Sequence, residues 1–227
     1  MKNNSKSLKT EASVYLWVEA NKAQFTMPML RADGTSYACM TPTAAVGLAK
    51  QIFAKPEMEW KVNRIVVGKP IRYATITRNF AQNKMNPKHD GMLLTTEDNA
   101  NVQQASTQVL MNVAYRIEYT IRLANPLSEY PEGVDIHKYL NQIQERLKRG
   151  RCFAQPYLGC KEYVCSLIRE STIEERTYNF IPSELKNSTI QLGRMPIFNY
   201  QTEAGLFKTF FQDVELVGGV LNVENVY

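Results

Sequence analysis

Three adjacent residues, His137, Lys138 and Tyr139, put an imidazole, an ammonium group and a phenol next to one another in the sequence. An unperturbed histidine titrates near about pH 6.5 and a tyrosine near about pH 10, so the histidine is the better proton carrier at neutral pH. The lysine supplies a positive charge that suits a phosphate. The run therefore fits a catalytic site, a phosphate-binding site or the ordinary start of a helix.

A predicted amphipathic helix begins at this run. Asp135 is a suitable N-cap. At about 100° per residue, Tyr139 borders the apolar stripe of the helix, whereas His137 and Lys138 lie away from it. Backbone N–H groups and the dipole in a first turn favour an anion, but a solvated first turn has the same pattern. The apolar stripe, at spacings of four, three and four, consists of Ile136, Leu140, Ile143 and Leu147.

The far end of the same helix is strongly basic, with Gly150 in position to cap it. Positive charges there offset the C-terminal dipole, which is one explanation for them. Four basic residues within six positions exceed what a cap needs, and this excess favours binding to a polyanion. The four residues are Arg146, Lys148, Arg149 and Arg151.

Composition restricts the class of protein. The chain has 227 residues, 44% of them hydrophobic, which is enough for one elaborated domain or two small ones. No run of about 18 apolar residues is present, and no apolar segment follows the N-terminal lysines, so we expect a cytoplasmic protein without membrane contact. Cys39, Cys152, Cys160 and Cys165 match no zinc-site spacing, so we expect free thiols, no metal and no cofactor.

The net charge of +5 is unevenly distributed. Residues 1–80 contain twelve Lys/Arg and five Asp/Glu, whereas residues 170–227 contain four and eight. The N-terminal part therefore suits a polyanion, and the acidic C-terminal part suits solvent or a protein partner.

Hydrophobic periodicity predicts elements in the order β-α-β-β-α-β, the split βαβ pattern of an α+β, ferredoxin-like domain that also underlies the RNA-recognition motif. Between its second and third strands we expect an insertion loop over 81–110, because this stretch is long and rich in Asn and Gln. The domain is predicted to span 12–169, and a small antiparallel β appendage to span 170–227. The predicted segments are 12–20, 41–56, 59–80 (one long strand or a hairpin, bent at Gly68 to Pro70), 112–124, the helix from Asp135, and a strand after the following loop.

One strand has an especially clear alternation. In residues 112–124, Ile117, Tyr119 and Ile121 are among the apolar residues that point one way, while Arg116, Glu118, Thr120 and Arg122 point the other way. We expect the first face to be buried and the second to face solvent.

Two longer strings carry a family resemblance: "SYACMTPTAAVGLAKQIFAKPEMEWKVNRIVVGKPIRYATITRN" and "RLKRGRCFAQPYLGCKEY". Over roughly residues 12–169 the chain resembles the subtype I-C (Dvulg) member of the CRISPR-associated Cas-five family. The resemblance implies a ferredoxin-like domain with an added β region, bound in the Cascade complex to the repeat-derived 5′ end of the guide RNA. The implied partners are CRISPR repeat RNA, the backbone and large subunits of Cascade, and duplex DNA as a further candidate.

The same resemblance implies an endoribonuclease that cuts precursor RNA without a metal, through attack of a 2′-hydroxyl on the adjacent phosphate. Such a reaction needs a base, an acid and a cation. The family supplies a Tyr at the end of the first helix and a Lys-His pair at the start of the second. Lys138 matches the Lys, but Phe53 stands at the Tyr position and Tyr139 at the His position. The candidate catalytic residues are Lys138, His137 and Tyr139.

Two functional interpretations remain open, an active endoribonuclease, which we favour, and a Cascade subunit that binds the guide RNA without cutting it. An RNA-recognition domain unrelated to CRISPR is disfavoured because its aromatic Lys/Arg-Gly-Phe/Tyr motif is absent. Phe153 and Tyr157 could stack on bases or pack in the core. The expected RNA contacts are Lys55, Arg72, Arg78, Lys148, Arg149, Arg151 and Lys161.

Overall fold

A single long strand, β4, occupies the middle of an antiparallel sheet. β1, β2 and β3 all pair with it, β5 extends the sheet beyond β1, and β8, β7 and β6 extend it in that order beyond β2. A computed structural model describes residues 11–30, 34–81, 102–123, 135–202 and 205–223. The elements are β1 (Glu11–Ala23), α1 (Pro42–Ile52), β2 (Met58–Val67), β3 (Tyr73–Ala81), β4 (Val102–Leu123), α2 (Ile136–Lys148), β5 (Leu167–Glu170), α3 (Ser183–Lys186), β6 (Thr189–Gln201), β7 (Phe207–Val217) and β8 (Val220–Asn222).

The two long helices begin at side-chain caps, one of them the predicted Asp135. Thr41 Oγ1 accepts the backbone N–H of Ala44 at 3.2 Å, and the Asp135 side chain accepts that of His137 at 3.0 Å. α1 packs on β2 and β6, α2 packs on β1 and β5, and the helices touch each other. Among the described residues, none of the helices combines the length and apolar character needed to cross a membrane.

The face of β4 that meets the helices is the main core of the protein. Ile117, Tyr119 and Ile121 are fully buried there, as the alternation predicted. Tyr119 donates its hydroxyl to Ala45 O at 2.8 Å and contacts Trp60 edge-on, with ring centroids 5.2 Å apart. The sheet and α1 are thus joined by both apolar contact and a buried hydrogen bond.

The opposite face of β4 was expected to face solvent, and this expectation is wrong for two of its four residues. Arg116 is only 1% exposed and Glu118 only 8%. The segment after β5 crosses this face: Tyr178 donates to Glu118, and the Arg116 guanidinium donates to Ser171. Because this cover comes from residues more than 50 positions away, the local alternation could not indicate it.

The bend predicted near Gly68 to Pro70 separates β2 from β3. Both strands run antiparallel to β4, β2 along its C-terminal part and β3 along its N-terminal part. The predicted loop over 81–110 is wrong for residues 102–110, which belong to β4 and pair with β3. Residues 102–108 are mostly polar and none of them is buried, so this part of β4 lacks the apolar alternation that marks a strand. Residues 82–101 of the predicted loop lie outside the described residues.

The C-terminal strands continue the main sheet. β6 and β7 form a long antiparallel hairpin, and β8 pairs with both β7 and β2. Tyr37 also donates its hydroxyl to Arg194 O on β6, which ties the hairpin to the N-terminal half. The described chain is therefore a mixed α/β structure on one antiparallel sheet, and the domain boundary at residue 170 stays a prediction.

Candidate nucleic-acid interface

The first turn of α2 holds the three candidate catalytic residues in different environments. Lys138 is exposed, His137 is half-buried and Tyr139 is 6% exposed. This is the order that the helical pattern predicted. The backbone N–H groups of His137 and Lys138, however, donate to the side chain and carbonyl of Asp135, each at 3.0 Å. The expected backbone anion site is therefore occupied by the cap at these two amides, and the positive charge available there is that of Lys138.

The Tyr139 side chain reaches from α2 to the turn after α1. Its ring packs on Phe53, with centroids 6.0 Å apart, and its hydroxyl donates to Glu57 Oε1 at 2.6 Å. This hydrogen bond lowers the pKa of Glu57 below its ordinary value, and nearby Lys55 adds to the effect. Sequence reasoning missed Glu57, although the first string that carries the family resemblance contains it.

The C-terminal end of α1 is closed by side chains from other elements. Trp60 Nε1 donates to Phe53 O at 2.9 Å, and Arg146 Nη1 donates to Ile52 O at 3.0 Å. The Arg146 guanidinium also lies 5.1 Å from the centre of the Phe53 ring. Arg146 thus stabilises the contact between the helices, and Phe53, which is 2% exposed, forms the floor under Tyr139.

The loop after α2 returns to the same end of α1. The backbone N–H groups of Phe153 and Ala154 donate to Gln51 O at 2.7 and 3.0 Å, and that of Tyr157 donates to Gln51 Oε1 at 3.1 Å. Phe153 is 77% exposed, whereas Tyr157 is half-buried. The Phe153 ring therefore lies outside the core, in the loop that follows the basic end of α2.

At Gly159 the loop passes very close to Gln24, the residue that follows β1. This residue has φ +85°, and a Cβ atom built on it would lie 1.7 Å from Gln24 O, so only glycine fits. Two residues after the following Cys160, Glu162 receives hydrogen bonds from both terminal nitrogens of Arg78 on β3. The loop consequently runs from the end of α1 to β3.

The predicted RNA contacts fall into two groups along this route. Lys55, Lys148, Arg149 and Arg151 are exposed around the ends of α1 and α2, with Arg149 paired to Glu145 at 3.0 Å. A groove of about 740 Å³ opens beside them, lined partly by Arg146, Arg149 and Arg151. The second group comprises Arg72, Arg78 and Lys161 on the β3 side. Arg72 and Lys161 are exposed there, while Arg78 is already neutralised by Glu162.

The cysteines and acidic residues form no obvious metal site in the described parts of the chain. No cluster of three or more His, Cys, Asp or Glu side chains suited to a metal ion occurs there. All four cysteines are free thiols, and burial raises the pKa of Cys39 and Cys165 to about 12.

Comparison with known proteins identifies the family. The sequence model described as "CRISPR-associated protein (Cas_Cas5)" matches residues 13–204. The chain belongs to this family. Two similar relatives are both named CRISPR pre-crRNA endoribonuclease Cas5d. The protein from Mannheimia succiniciproducens is 32% identical over 161 residues, 66% of this chain and 68% of that one. The protein from Thermus thermophilus is 36% identical over 151 residues, 66% of this chain and 60% of that one.

Solved structures also share the fold of this Cas5-family chain. A CRISPR-associated protein superposes with a TM-score of 0.70 at 17% identity, covering 95% of this chain and 93% of that one. A functionally uncharacterized protein from Streptococcus mutans gives 0.67 at 19% identity, covering 95% and 94%. The predicted family resemblance is confirmed, and subtype I-C stays a prediction.

Proposed function

We propose that this protein binds the repeat of CRISPR precursor RNA and cleaves it within the repeat without a metal ion. The observation that carries the proposal is the first turn of α2, where exposed Lys138 lies between half-buried His137 and the anchored phenol of Tyr139. Two relatives at 32% and 36% identity are named as pre-crRNA endoribonucleases, which supports the same activity here.

The cleavage reaction needs a base, an acid and a cation, and the three side chains of this turn can supply them. A 2′-hydroxyl loses its proton and attacks the neighbouring phosphorus, and the 5′-oxygen leaves with a new proton. The Lys138 ammonium stabilises the added negative charge on the phosphorane. His137 and Tyr139 exchange the protons, since imidazole and phenol side chains can each donate and accept one.

The RNA path we infer follows the loop from the end of α2 towards β3. Exposed Lys148, Arg149 and Arg151 supply phosphate contacts beside the groove, and the exposed ring of Phe153 offers a surface for base stacking. We place the repeat-derived 5′ handle of the RNA on this path, in a type I-C Cascade complex. The acidic C-terminal part is then available to the backbone and large subunits, and duplex DNA remains a further candidate partner.

We also infer a ferredoxin-like topology for residues 12–169. The strands that precede and follow the two helices lie in the order β5-β1-β4-β2, and every neighbouring pair is antiparallel. This order interleaves two β-α-β units, which supports the split βαβ arrangement.

A second candidate function is RNA binding without cleavage. Two observations favour it: Phe53 has no hydroxyl at the position where the resemblance implies a tyrosine, and Asp135 occupies two amides of the α2 first turn. Under this alternative the same basic path holds the RNA as a subunit of Cascade.

Incubation of the purified protein with its own repeat RNA in EDTA distinguishes the two. The enzyme makes a single cut in the repeat, and Lys138→Ala slows it by about 100-fold or more, because one stabiliser of transition-state charge is lost. Lys186→Ala, which removes an exposed lysine from α3, is the matched control and should cut normally. Tight binding with intact RNA would instead support the binding subunit.

A further inference from the structure

A carboxylate lies directly behind the phenol at the start of α2. Tyr139 Oη donates to Glu57 Oε1 at 2.6 Å, while the Tyr139 ring packs on the buried Phe53 ring. The ring contact fixes the direction of the phenol, and the hydrogen bond orients its proton towards Glu57. The lone pairs of Oη are therefore directed away from Glu57.

Basic side chains lie on the two elements that carry this pair. Lys55 lies in the same turn as Glu57, and α2 contributes His137 and Lys138 from its first turn and Arg146 from the helix–helix contact. The pKa of Glu57 is lowered, chiefly by the hydrogen bond from Tyr139, so its carboxyl is ionised at neutral pH. The ionised carboxylate already accepts a hydrogen bond from the phenol. A single proton transfer along this hydrogen bond therefore moves the phenolic proton to Glu57.

We propose that Glu57 is a positioning residue which receives the Tyr139 proton, so that the Tyr139–Glu57 pair is the base for RNA cleavage. The inference rests on the proposed function and deepens it, since it assigns the base to a pair that includes a residue outside the α2 turn. It also accounts for phenylalanine at position 53, where the resemblance implies a tyrosine. The phenol is then supplied by Tyr139 of α2 and kept in place by Glu57 in the turn between α1 and β2.

The step balances without a co-reactant. The proton of the 2′-hydroxyl moves to Tyr139 Oη as the phenolic proton moves to Glu57 Oε1. The 2′-oxygen forms its bond to phosphorus, and the bond from phosphorus to the 5′-oxygen breaks. The 5′-oxygen takes a proton from the His137 imidazolium, which leaves a 2′,3′-cyclic phosphate and a free 5′-hydroxyl. Exchange with water then restores ionised Glu57 and protonated His137.

The test is single-turnover cleavage of the repeat RNA in EDTA by wild type, Glu57→Gln and Glu59→Gln. Glutamine still accepts the Tyr139 hydrogen bond but does not take its proton, so Glu57→Gln should slow cleavage by about 100-fold. Binding to a repeat with 2′-deoxyribose at the cut site should change less than about twofold, since no phosphate contact is removed. Glu59→Gln removes the same charge two residues away, from an exposed pair with Arg122, and should cut at the wild-type rate.

The pH profile separates proton uptake from a merely structural role. Because the pKa of Glu57 is lowered, its carboxyl stays ionised from about pH 5 to about pH 6.5, so the wild-type rate should not rise with pH across this window. In Glu57→Gln, hydroxide must replace the lost base, so the residual rate should rise about tenfold per pH unit across the same window. A structural defect would lower the rate without changing this slope.

The outcomes are distinguishable from failure of the proposed function. If wild type cuts and Glu57→Gln cuts equally fast, the inference is overturned and the endoribonuclease stands. An uncut repeat with wild-type protein overturns both. If Glu57→Gln does not fold, Tyr139→Phe tests the same base from the other partner, and unchanged cleavage by that variant overturns the inference as well.

Discussion

Two tyrosine–glutamate pairs lie in different parts of this protein and have different surroundings. Tyr139 donates to Glu57 at 2.6 Å, and Tyr178 donates to Glu118 at 2.5 Å. Glu118 is buried within the sheet and also contacts Arg116 at 2.6 Å and Arg64 at 3.5 Å. Glu57 is half-buried, and both Lys55 in its turn and Lys138, next to Tyr139 in the sequence, are exposed.

The difference separates polar groups that hold the fold from those available for chemistry. Buried Arg116 is enclosed by the rings of Tyr15 and Tyr178, at 5.2 and 5.1 Å, and bonds both Glu118 and Ser171. Charges at that depth persist only when their partners are in place. In the α2 turn the charges remain in solvent, where a phosphate can reach them. Burial of the neighbouring cations, more than the presence of a Tyr–Glu pair, distinguishes the two regions.

The largest expected effect is on stability, in the buried region. Arg116→Met removes the hydrogen-bond donor that both Glu118 and Ser171 share, so we expect the free energy of unfolding to fall by about 3 kcal/mol. Lys138→Met makes the same change at an exposed position and should alter it by less than about 0.5 kcal/mol. Urea unfolding followed by circular dichroism measures both.

A companion variant sharpens this comparison. If loss of the Arg116 charge is harmful because it leaves Glu118 charged and poorly compensated, Glu118→Gln should recover part of the stability lost in Arg116→Met. Equal stability of Arg116→Met and wild type would show that the two regions do not differ as described.

The second prediction makes one substitution in both pairs. Tyr139→Phe should slow repeat cleavage by about 100-fold, because the proton carrier is lost, with a stability cost of about 1 kcal/mol or less. Tyr178→Phe should have the reverse effect, destabilising the protein by about 1–2 kcal/mol because a buried carboxylate loses a donor. Its cleavage rate should stay within about twofold of wild type, because Tyr178 lies on the face of β4 opposite the helices.

Parallel assays of cutting rate and unfolding decide this second prediction. A fall in cleavage for both variants, in proportion to their stability, would mean that Tyr139 contributes packing alone.

The sequence predicted those features of the fold that depend on nearby residues. The cap at Asp135, the packed apolar stripe of α2 and the αL glycine at Gly150, φ +61°, all follow from spacing within one helix. The prediction that one face of β4 is exposed to solvent was wrong for Arg116 and Glu118, because Tyr178 and Ser171, which are distant in sequence, cover them. A sequence pattern indicates alternation along a strand, but it does not indicate which distant segments pack on that strand.

The candidate site was predicted to a similar extent. The exposure of Lys138 and the burial of Tyr139 followed from helical geometry. The partner of Tyr139 did not, because Glu57 is 82 positions away in sequence and is brought close only by the packing of α2 on α1. The pairing of Arg78 with Glu162 is equally nonlocal, so an arginine expected to contact RNA has its charge already compensated.

The smallest expected effect concerns acid stability and again contrasts the two regions. Partial burial alone would raise the pKa of Glu175, but hydrogen bonds from Arg169, the Thr172 N–H and Ser171 lower it to about 2. A free glutamate titrates near about 4.3, so the unfolded chain binds the proton more readily. The stabilising contribution of Glu175 is therefore complete above that pH and is lost as pH falls towards 2.

Thermal unfolding between pH 7 and pH 2 measures this loss. Wild-type Tm should fall steadily below about pH 4.3, whereas Glu175→Gln should start lower at pH 7 and fall less steeply, since glutamine takes up no proton on unfolding. Glu57→Gln should keep nearly the wild-type slope, because the Glu57 carboxyl is close to solvent, which screens its interactions. Equal flattening by both substitutions would mean that the two carboxylates stabilise the fold alike, and that only their access to RNA separates them.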